Sequence, residues 1–298
     1  MGRAGVVSAL LISILAACGQ TVPEPSASAP AVLTSTTFLA DITRNLAGDR
    51  LVVESLLPYG EDPHSYQPKP QDVAMIAQSK VLVINGAGYE HFIESLLENA
   101  GGGREIIEAS MGIIPLEDAQ AEGGVDPHMW LDPNLVMIYV ENIQEGLTRF
   151  DPEGEAVYRT NADAYLIQLS ELDRWMTKQT QQLPEDRRFL VTNHETLGYF
   201  AERYGFEVVG SVIPSFSGNA APSARQMTGL VDQIEALGVP AVFLDAADND
   251  HLARQIAEET GARVESDLHF ESLTEGAPAA TYIDMMKHNV MTIVDALK

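Results

Sequence analysis

Residues 152–182 read PEGEAVYRTNADAYLIQLSELDRWMTKQTQQ, and the fold turns on how this stretch is taken. It carries no strand signal and no interior proline or glycine beyond Gly154. Tyr158, Ala162, Tyr165, Leu169, Leu172 and Met176 recur at steps of four and three. That lays one apolar stripe along a helix of roughly 30 residues, about 45 Å long at about 1.5 Å per residue. A single helix of that length, set between two stretches of different character, predicts a rigid spine rather than a floppy hinge.

Before the spine the chain alternates strands and helices. Val32 to Ala40 is rich in β-branched residues and reads as a strand, turning helical from Phe38 to Leu46 with Gly48-Asp49 closing the helix. Leu51 to Leu57 is a second strand, running into the turn-rich Pro58-Tyr59-Gly60-Glu61-Asp62-Pro63-His64-Ser65-Tyr66. Pro70 and Asp72 open a helix to Gln78. Val81-Leu82-Val83-Ile84-Asn85 is a continuous apolar run, the mark of a strand buried on both faces. Gly86 and Gly88 follow, then a helix through Leu97, an acidic loop over 112–125, and Asp126-Pro127-His128-Met129-Trp130-Leu131-Asp132-Pro133. Asp132 at N-cap and Pro133 at the first helical position start a helix to Leu147.

After the spine the same alternation returns. Phe189 to Thr192 is a strand ending at Asn193-His194-Glu195, and Leu197 to Tyr204 is a helix stopped by Gly205. Glu207 to Ile213 is a strand leading into Pro214-Ser215-Phe216-Ser217-Gly218. Pro222-Ser223 opens a helix to Leu237, and Ala241 to Asp245 is another buried strand. A helix over Asn249–Thr260 ends at Gly261, a short strand runs from Val264 to Asp267, and a helix from about Ala280 to Leu297 closes the chain. Strands alternating with helices predict an α/β protein with mostly parallel sheets on both sides of the spine.

Residues 1–17 read as a leader outside the fold. Arg3 gives a short positive start, and Ala4 to Leu15 is apolar but too short to span a bilayer. Leu15-Ala16-Ala17-Cys18 resembles the lipobox of bacterial lipoproteins, which makes Cys18 the expected lipidation site. Cys18 is the sole cysteine, so no intramolecular disulfide forms. The Pro/Ser/Ala-rich residues that follow, 18–31, read as a flexible tether.

About 270 residues remain, enough for one large or two medium domains. The formal charge of −25, one unit more negative once Arg3 is removed, argues against nucleic acid, whose binding needs a basic footprint. It also disfavours an anionic substrate in an open cleft and is compatible with a cation. In open α/β sheets ligands bind beyond the carboxyl ends of strands. His64 follows one strand, His194 ends another, Asp267 ends a third, and His128 lies in a loop just before a helix. If the two halves face each other across the spine, these four groups meet. Three imidazoles and one carboxylate suit a four-coordinate Zn²⁺. His91, His251 and His288 read as ordinary surface or core histidines.

Asp62-Pro63-His64-Ser65-Tyr66, Asp126 to Pro133, Asn193-His194-Glu195 with Leu197-Gly198-Tyr199-Phe200-Ala201, Pro222-Ser223-Ala224, and Ala279-Ala280-Thr281-Tyr282-Ile283-Asp284-Met285-Met286 resemble the cluster A-I substrate-binding lipoproteins of zinc and manganese ABC importers. The resemblance implies two lobes, 32–151 and 184–298, each with a mostly parallel sheet flanked by helices. One long rigid helix, 152–183, bridges them, and the metal lies between them. It places His64, His128, His194 and Asp267 at the four ligand positions. Manganese-type members tend to carry glutamate at the third position and zinc-type members histidine; His194 therefore points to the zinc type, with Mn²⁺ as the alternative. Two features depart from the family: the loop before the second ligand is short and acidic, without the His-rich insertion of many zinc-type members, and Glu265-Ser266-Asp267-Leu268-His269 matches the usual acidic turn loosely. His269 and Glu265 stand as alternatives to Asp267.

The expected function is capture of extracellular Zn²⁺ and delivery to an ABC permease and its ATPase. The protein is expected as a monomer held on the outer face of a membrane by lipid at Cys18, or in a periplasm. It is not expected to be an enzyme, because four protein ligands leave no open position for a catalytic water. A zinc hydrolase using Glu195 as general base is the remote alternative, and the chain lacks His-Glu-x-x-His. An adhesin-like surface role, described for lipoproteins of this family, has no specific support in the residues.

Overall fold

A computed structural model describes residues 1–2, 31–117, 124–213 and 222–298. The leader from Arg3 on, Cys18, the acidic Asp118 and Glu122, and the Pro214–Gly218 stretch lie outside the described residues. The first lobe is built on β1 (Val32–Thr34), β2 (Val53–Ser55), β3 (Val81–Ile84) and β4 (Glu105–Glu108). Helices α1 (Thr37–Ala47), α2 (Pro70–Gln78), α3 (His91–Ala100) and α4 (Pro133–Phe150) accompany them. The second lobe carries β5 (Phe189–Thr192), β6 (Glu207–Ser211), β7 (Ala241–Asp245) and β8 (Arg263–Leu268). Its helices are α6 (Gly198–Tyr204), α7 (Ala224–Leu237), α8 (His251–Thr260) and α9 (Tyr282–Leu297), and α5 (Glu155–Thr180) runs between the lobes in sequence.

The strand order is β2-β1-β3-β4 in one sheet and β6-β5-β7-β8 in the other, with every pairing parallel. The first strand of each lobe sits inside its sheet, and the chain winds first to one side of it and then to the other. That puts a topological switch point at β1/β3 and another at β5/β7, where connecting loops diverge and leave a crevice.

Local sequence explains the element ends. Asp132 accepts a hydrogen bond from Asn134 N (2.8 Å) and caps α4, with Pro133 occupying a position whose N–H would have no helical partner. Ser223 and Gln226 form a reciprocal capping box at the start of α7. Gly205, Gly238 and Gly261 end α6, α7 and α8 in the left-handed region. One expectation shifts, and one strand is new. The branched run from Val32 is a strand for only three residues, because Thr36 is the N-cap of α1 and the following residues are helical. Strand β4 carried no sequence expectation: it is a four-residue edge strand in which Ile107 is buried and Ile106 is 46% exposed, too short to show a period.

Helix α5 buries Tyr158, Ala162, Tyr165, Leu169, Leu172 and Met176, the predicted stripe, together with Thr180. It packs against α1, α4 and α9, so a single core runs from lobe to lobe. Burying a leucine or methionine of that stripe stabilises by about 1.5–3 kcal/mol each, which holds the spine to both halves. A second fastening is polar. Residues 270–273, past β8, dock on the first lobe: Trp130 Nε1 donates to Phe270 O (2.7 Å), Gly60 N donates to Ser272 Oγ (2.8 Å), and Leu273 N donates to Thr37 Oγ1 (2.8 Å). Tyr282 at the start of α9 donates its hydroxyl to Trp130 O (2.6 Å). Among the described residues no helix is long and apolar enough to cross a membrane.

Candidate metal centre

Two of the candidate histidines sit in the same local device. In Asp62-Pro63-His64, the His64 N–H donates to Asp62 Oδ1 (2.9 Å). In Asp126-Pro127-His128, the His128 N–H donates to Asp126 Oδ1 (2.9 Å). The aspartate folds back on the amide two residues on, and proline fixes the φ between them, so each imidazole leaves a tight turn in one direction. His194 is fixed differently. It follows β5, and Thr192 and Thr196 both donate hydroxyls to its carbonyl, at 2.6 and 3.3 Å. That aims the side chain over the carboxyl end of the second sheet, at its switch point.

The three histidines meet around one carboxylate, that of Glu271. The Nε2 atoms of His128, His194 and His64 lie 3.2, 3.5 and 3.9 Å from Glu271 Oε1. The four ligand atoms all fall within 4.8 Å of one another. His128 is completely buried and Glu271 is 2% exposed. The other carboxylate oxygen, Oε2, accepts the Tyr89 hydroxyl at 2.6 Å. First-lobe Tyr89, His64 and His128 thus converge on second-lobe Glu271 and His194.

Surrounding groups set the ring orientations. Asp126 Oδ1 lies 2.7 Å from His128 Nδ1. A carboxylate there holds the proton on Nδ1 and leaves the Nε2 lone pair facing the centre. Asp248 Oδ1 stands 4.0 Å from His194 Nδ1 on the opposite side. Trp130 is fully buried with its ring 5.2 Å from that of His128 and stacks on Phe38, so it closes the site to water from behind. Without a cation the cluster distributes its own charge. Burial pushes the His128 imidazolium down, but the Glu271 and Asp126 carboxylates outweigh that and hold its pKa up at about 10. His194 is likewise held above the usual histidine value: burial opposes the charge, and Glu271 and Asp248 restore it. Burial works to raise Glu271, yet the imidazoles around it keep it well below the usual carboxylate range.

Asp267, expected as the fourth ligand, lies apart from this cluster: its side chain is 77% exposed and faces His269 and His288. Neither alternative, His269 or Glu265, joins the three histidines, and Glu195 is not among the four converging groups. The reason is the path of the chain after β8. Asp245, at the end of β7, accepts from the backbone amides of Phe270 (2.5 Å) and Glu271 (3.2 Å). That carboxylate draws the chain past the strand end before it enters the cleft, so the residue that reaches the centre is four positions beyond Asp267.

Leu197-Gly198-Tyr199-Phe200-Ala201 also gains a role. Tyr199 donates its hydroxyl to Asp126 O (2.7 Å) and accepts from Leu116 N (3.0 Å). A Cβ on Gly198 would come within 2.6 Å of Asp126 Oδ2. Helix α6 therefore holds Asp126 against His128, and only glycine leaves room for the carboxylate.

A model of the family described as zinc-uptake complex component A, periplasmic (ZnuA), matches residues 32–296. The manganese-binding lipoprotein MntA of Halalkalibacterium halodurans is 36% identical over 294 residues, covering 97% of this chain and 96% of that one. The iron-binding protein YfeA of Yersinia pestis is 31% identical over 280 residues, covering 93% and 89%. Among solved structures, the periplasmic zinc binding protein TroA from Treponema pallidum superposes with a TM-score of 0.83 at 28% identity, covering 90% of this chain and 99% of that one.

Proposed function

This chain belongs to the ZnuA family of metal ABC-transporter substrate-binding proteins, and from that premise we propose that its cargo is Zn²⁺, held by His64, His128, His194 and Glu271 and delivered to a membrane permease driven by an ATPase. The observation that carries the reading is the donor set: three imidazole Nε2 atoms and a single carboxylate oxygen face one point, and Tyr89 engages the second oxygen. With Oε2 engaged, Glu271 offers one oxygen, and an N₃O set of four suits tetrahedral Zn²⁺. Mn²⁺ favours more oxygen ligands and a larger coordination number. The buried centre uses all four positions for protein ligands, which supports carriage over hydrolysis.

A second reading, Mn²⁺ as cargo, is favoured by the relatives' names: the one at 36% identity is named for manganese binding, and further relatives at 28–29% identity are named for manganese transport. Competition titration of the metal-free protein with Zn²⁺ and Mn²⁺, read by calorimetry and native mass spectrometry, separates the two. Zn²⁺ is expected to bind one per chain at this centre and to displace Mn²⁺. Retention of Mn²⁺ against equimolar Zn²⁺ would overturn the zinc reading and leave the family unaffected.

The remaining parts of the proposal follow from how the cargo must travel. Residues 32–151 and 184–298 act as the two lobes and 152–183 as the bridge. Lipid at Cys18 holds a monomer on the outer face of the membrane. Because α5 packs into the cores of both lobes, release proceeds by a small loosening around residues 270–273 rather than by wide opening. Mass spectrometry of membrane-extracted protein tests the anchor, and an unmodified Cys18 would remove it.

A further inference from the structure

Outside the interlobe centre, one other group of metal-ligating side chains is drawn together among the described residues: Asp267, His269 and His288, whose ligand atoms lie within 4.8 Å of one another. His269 and Asp267 come from the end of β8 and His288 from the second turn of α9, so a strand end and a helix face supply the three groups. His269 Nε2 lies 3.8 Å from Asp267 Oδ1, and His288 Nε2 lies 3.6 Å from Asp267 Oδ2. The two rings are 5.6 Å apart at 41°.

The decisive member is His269. It is 8% exposed, its Nε2 is buried, and that nitrogen has no hydrogen-bond partner. Leaving a buried ring nitrogen unsatisfied costs about 1–3 kcal/mol, so such a position calls for an explanation. The backbone at His269 is anchored from both sides, since His269 N donates to Asn289 Oδ1 (2.9 Å) and Asn289 Nδ2 donates to His269 O (2.6 Å). The ring is thus held toward the cluster by α9, away from the interlobe centre that Glu271 enters two residues later.

We propose that Asp267, His269 and His288 form a second binding site for a divalent transition-metal ion, on the outer side of the second lobe and independent of the interlobe centre. Two imidazoles and a carboxylate suit Zn²⁺ and its first-row neighbours rather than Ca²⁺ or Mg²⁺, whose ligands are oxygens. Tetrahedral Zn²⁺ with ligand bonds of about 2.0–2.2 Å needs donor spacings of about 3.3–3.5 Å, and the 3.8 and 3.6 Å from the two imidazoles to the oxygens of Asp267 must close by a few tenths of an ångström. Three protein ligands leave one position for water. Two features make the site weaker than the interlobe one. Asp267 is largely exposed, and His288 Nε2 lies 2.6 Å from Asp267 O, a bond it must give up to ligate the ion.

The test uses the full mature chain, stripped of metal and titrated with Zn²⁺ alone, with binding read by equilibrium dialysis and native mass spectrometry. The wild type is expected to take up one tight equivalent and one weaker equivalent. Asp267→Asn and His288→Gln alter partly exposed groups and should each lose the weaker equivalent while keeping the tight one. His194→Ala should lose the tight equivalent and keep the weaker, which separates failure at one site from failure at the other. Uptake of a single equivalent by the wild type, or persistence of the weaker equivalent in either Asp267→Asn or His288→Gln, overturns the proposal. Circular dichroism of each variant confirms that the fold is intact.

Discussion

Cation capture at the interlobe centre should release a proton, and the affinity should rise with pH accordingly. The perturbation is pH itself. In the metal-free cluster the Glu271 and Asp126 carboxylates overcome burial and hold His128 protonated up to about pH 10. A cation needs the neutral imidazole, so below that pH each binding event must displace this proton. The apparent affinity then gains about tenfold per pH unit, or about 1.36 kcal/mol. From about pH 6 to about pH 8 that is about a hundredfold from His128 alone. His194, also held above the usual histidine value, adds to the slope at the acid end. Glu271 stays ionised throughout and contributes no proton. Calorimetry of Zn²⁺ binding in buffers of different ionisation enthalpy counts the protons directly, and about one or more is expected near pH 7. Asp126→Asn removes one of the two carboxylates that hold the proton, so proton release should cease at a lower pH than in the wild type. A pH-independent affinity with no proton released would refute the electrostatic account of the centre.

Three further outcomes follow from the same geometry. Glu271→Ala should abolish tight Zn²⁺ binding while Asp267→Ala leaves it in place, as measured by competition with a chromophoric chelator; the reverse pattern would return Asp267 to the centre. Gly198→Ala forces a Cβ to within 2.6 Å of Asp126 Oδ2. Disturbing a group that orients a metal-binding imidazole typically weakens affinity about 10–100-fold, and a Gly198→Ala protein with unchanged affinity would argue against the positioning role of α6. Glu90 is buried, accepting from Ser35 Oγ (2.8 Å), Asn85 N (2.5 Å) and Gly86 N (3.1 Å), and burial raises its pKa to about 7. A folded-state value above the unfolded one means that the native protein binds more protons, so this contribution is complete below about pH 4.5 and lost as pH rises through about 7. Urea unfolding of the metal-free protein should show wild type losing about 3 kcal/mol relative to Glu90→Gln between those limits, and parallel pH profiles would exclude Glu90 as the source.

The sequence disclosed those parts of the site that are fixed by short-range chemistry. His64 and His128 could be singled out because Asp-Pro-His is a complete local device: the aspartate binds the histidine amide two residues on, and no tertiary information is needed to see it. The spine was legible for a similar reason, since its buried residues repeat with the helix period. Glu271 was not legible. Its place depends on how far the chain travels after β8, and that is decided by Asp245, a residue 26 positions earlier on another strand. Asp267 stood at the strand end, where ligands of parallel sheets are usually sought, yet the gathering of Phe270 and Glu271 amides by Asp245 carries the chain past it. Tyr89 and Gly198 were hidden likewise, since each acts only through a partner in the opposite lobe or over a distance in sequence of 72 residues or more.

The docking of residues 270–273 links the two problems the protein must solve. Glu271 supplies a carboxylate to the centre, and its neighbours Phe270, Ser272 and Leu273 hold the first lobe through Trp130, Gly60 and Thr37. A cation bound by first-lobe His64 and His128 and second-lobe His194 and Glu271 draws on the same seam that these hydrogen bonds close. Occupancy and interlobe contact therefore stabilise each other: anything that binds the joined form and not the parted one shifts the balance by its own binding free energy. The converse sets how cargo leaves. On the proposed ligand set, parting the seam at 270–273 would withdraw Glu271 and with it one ligand and the charge that draws the cation in. With Glu271 withdrawn, His128 keeps Asp126 beside its Nδ1 and His194 keeps Asp248. The spine, packed into the core shared by both lobes, favours a small parting of that seam over a wide opening.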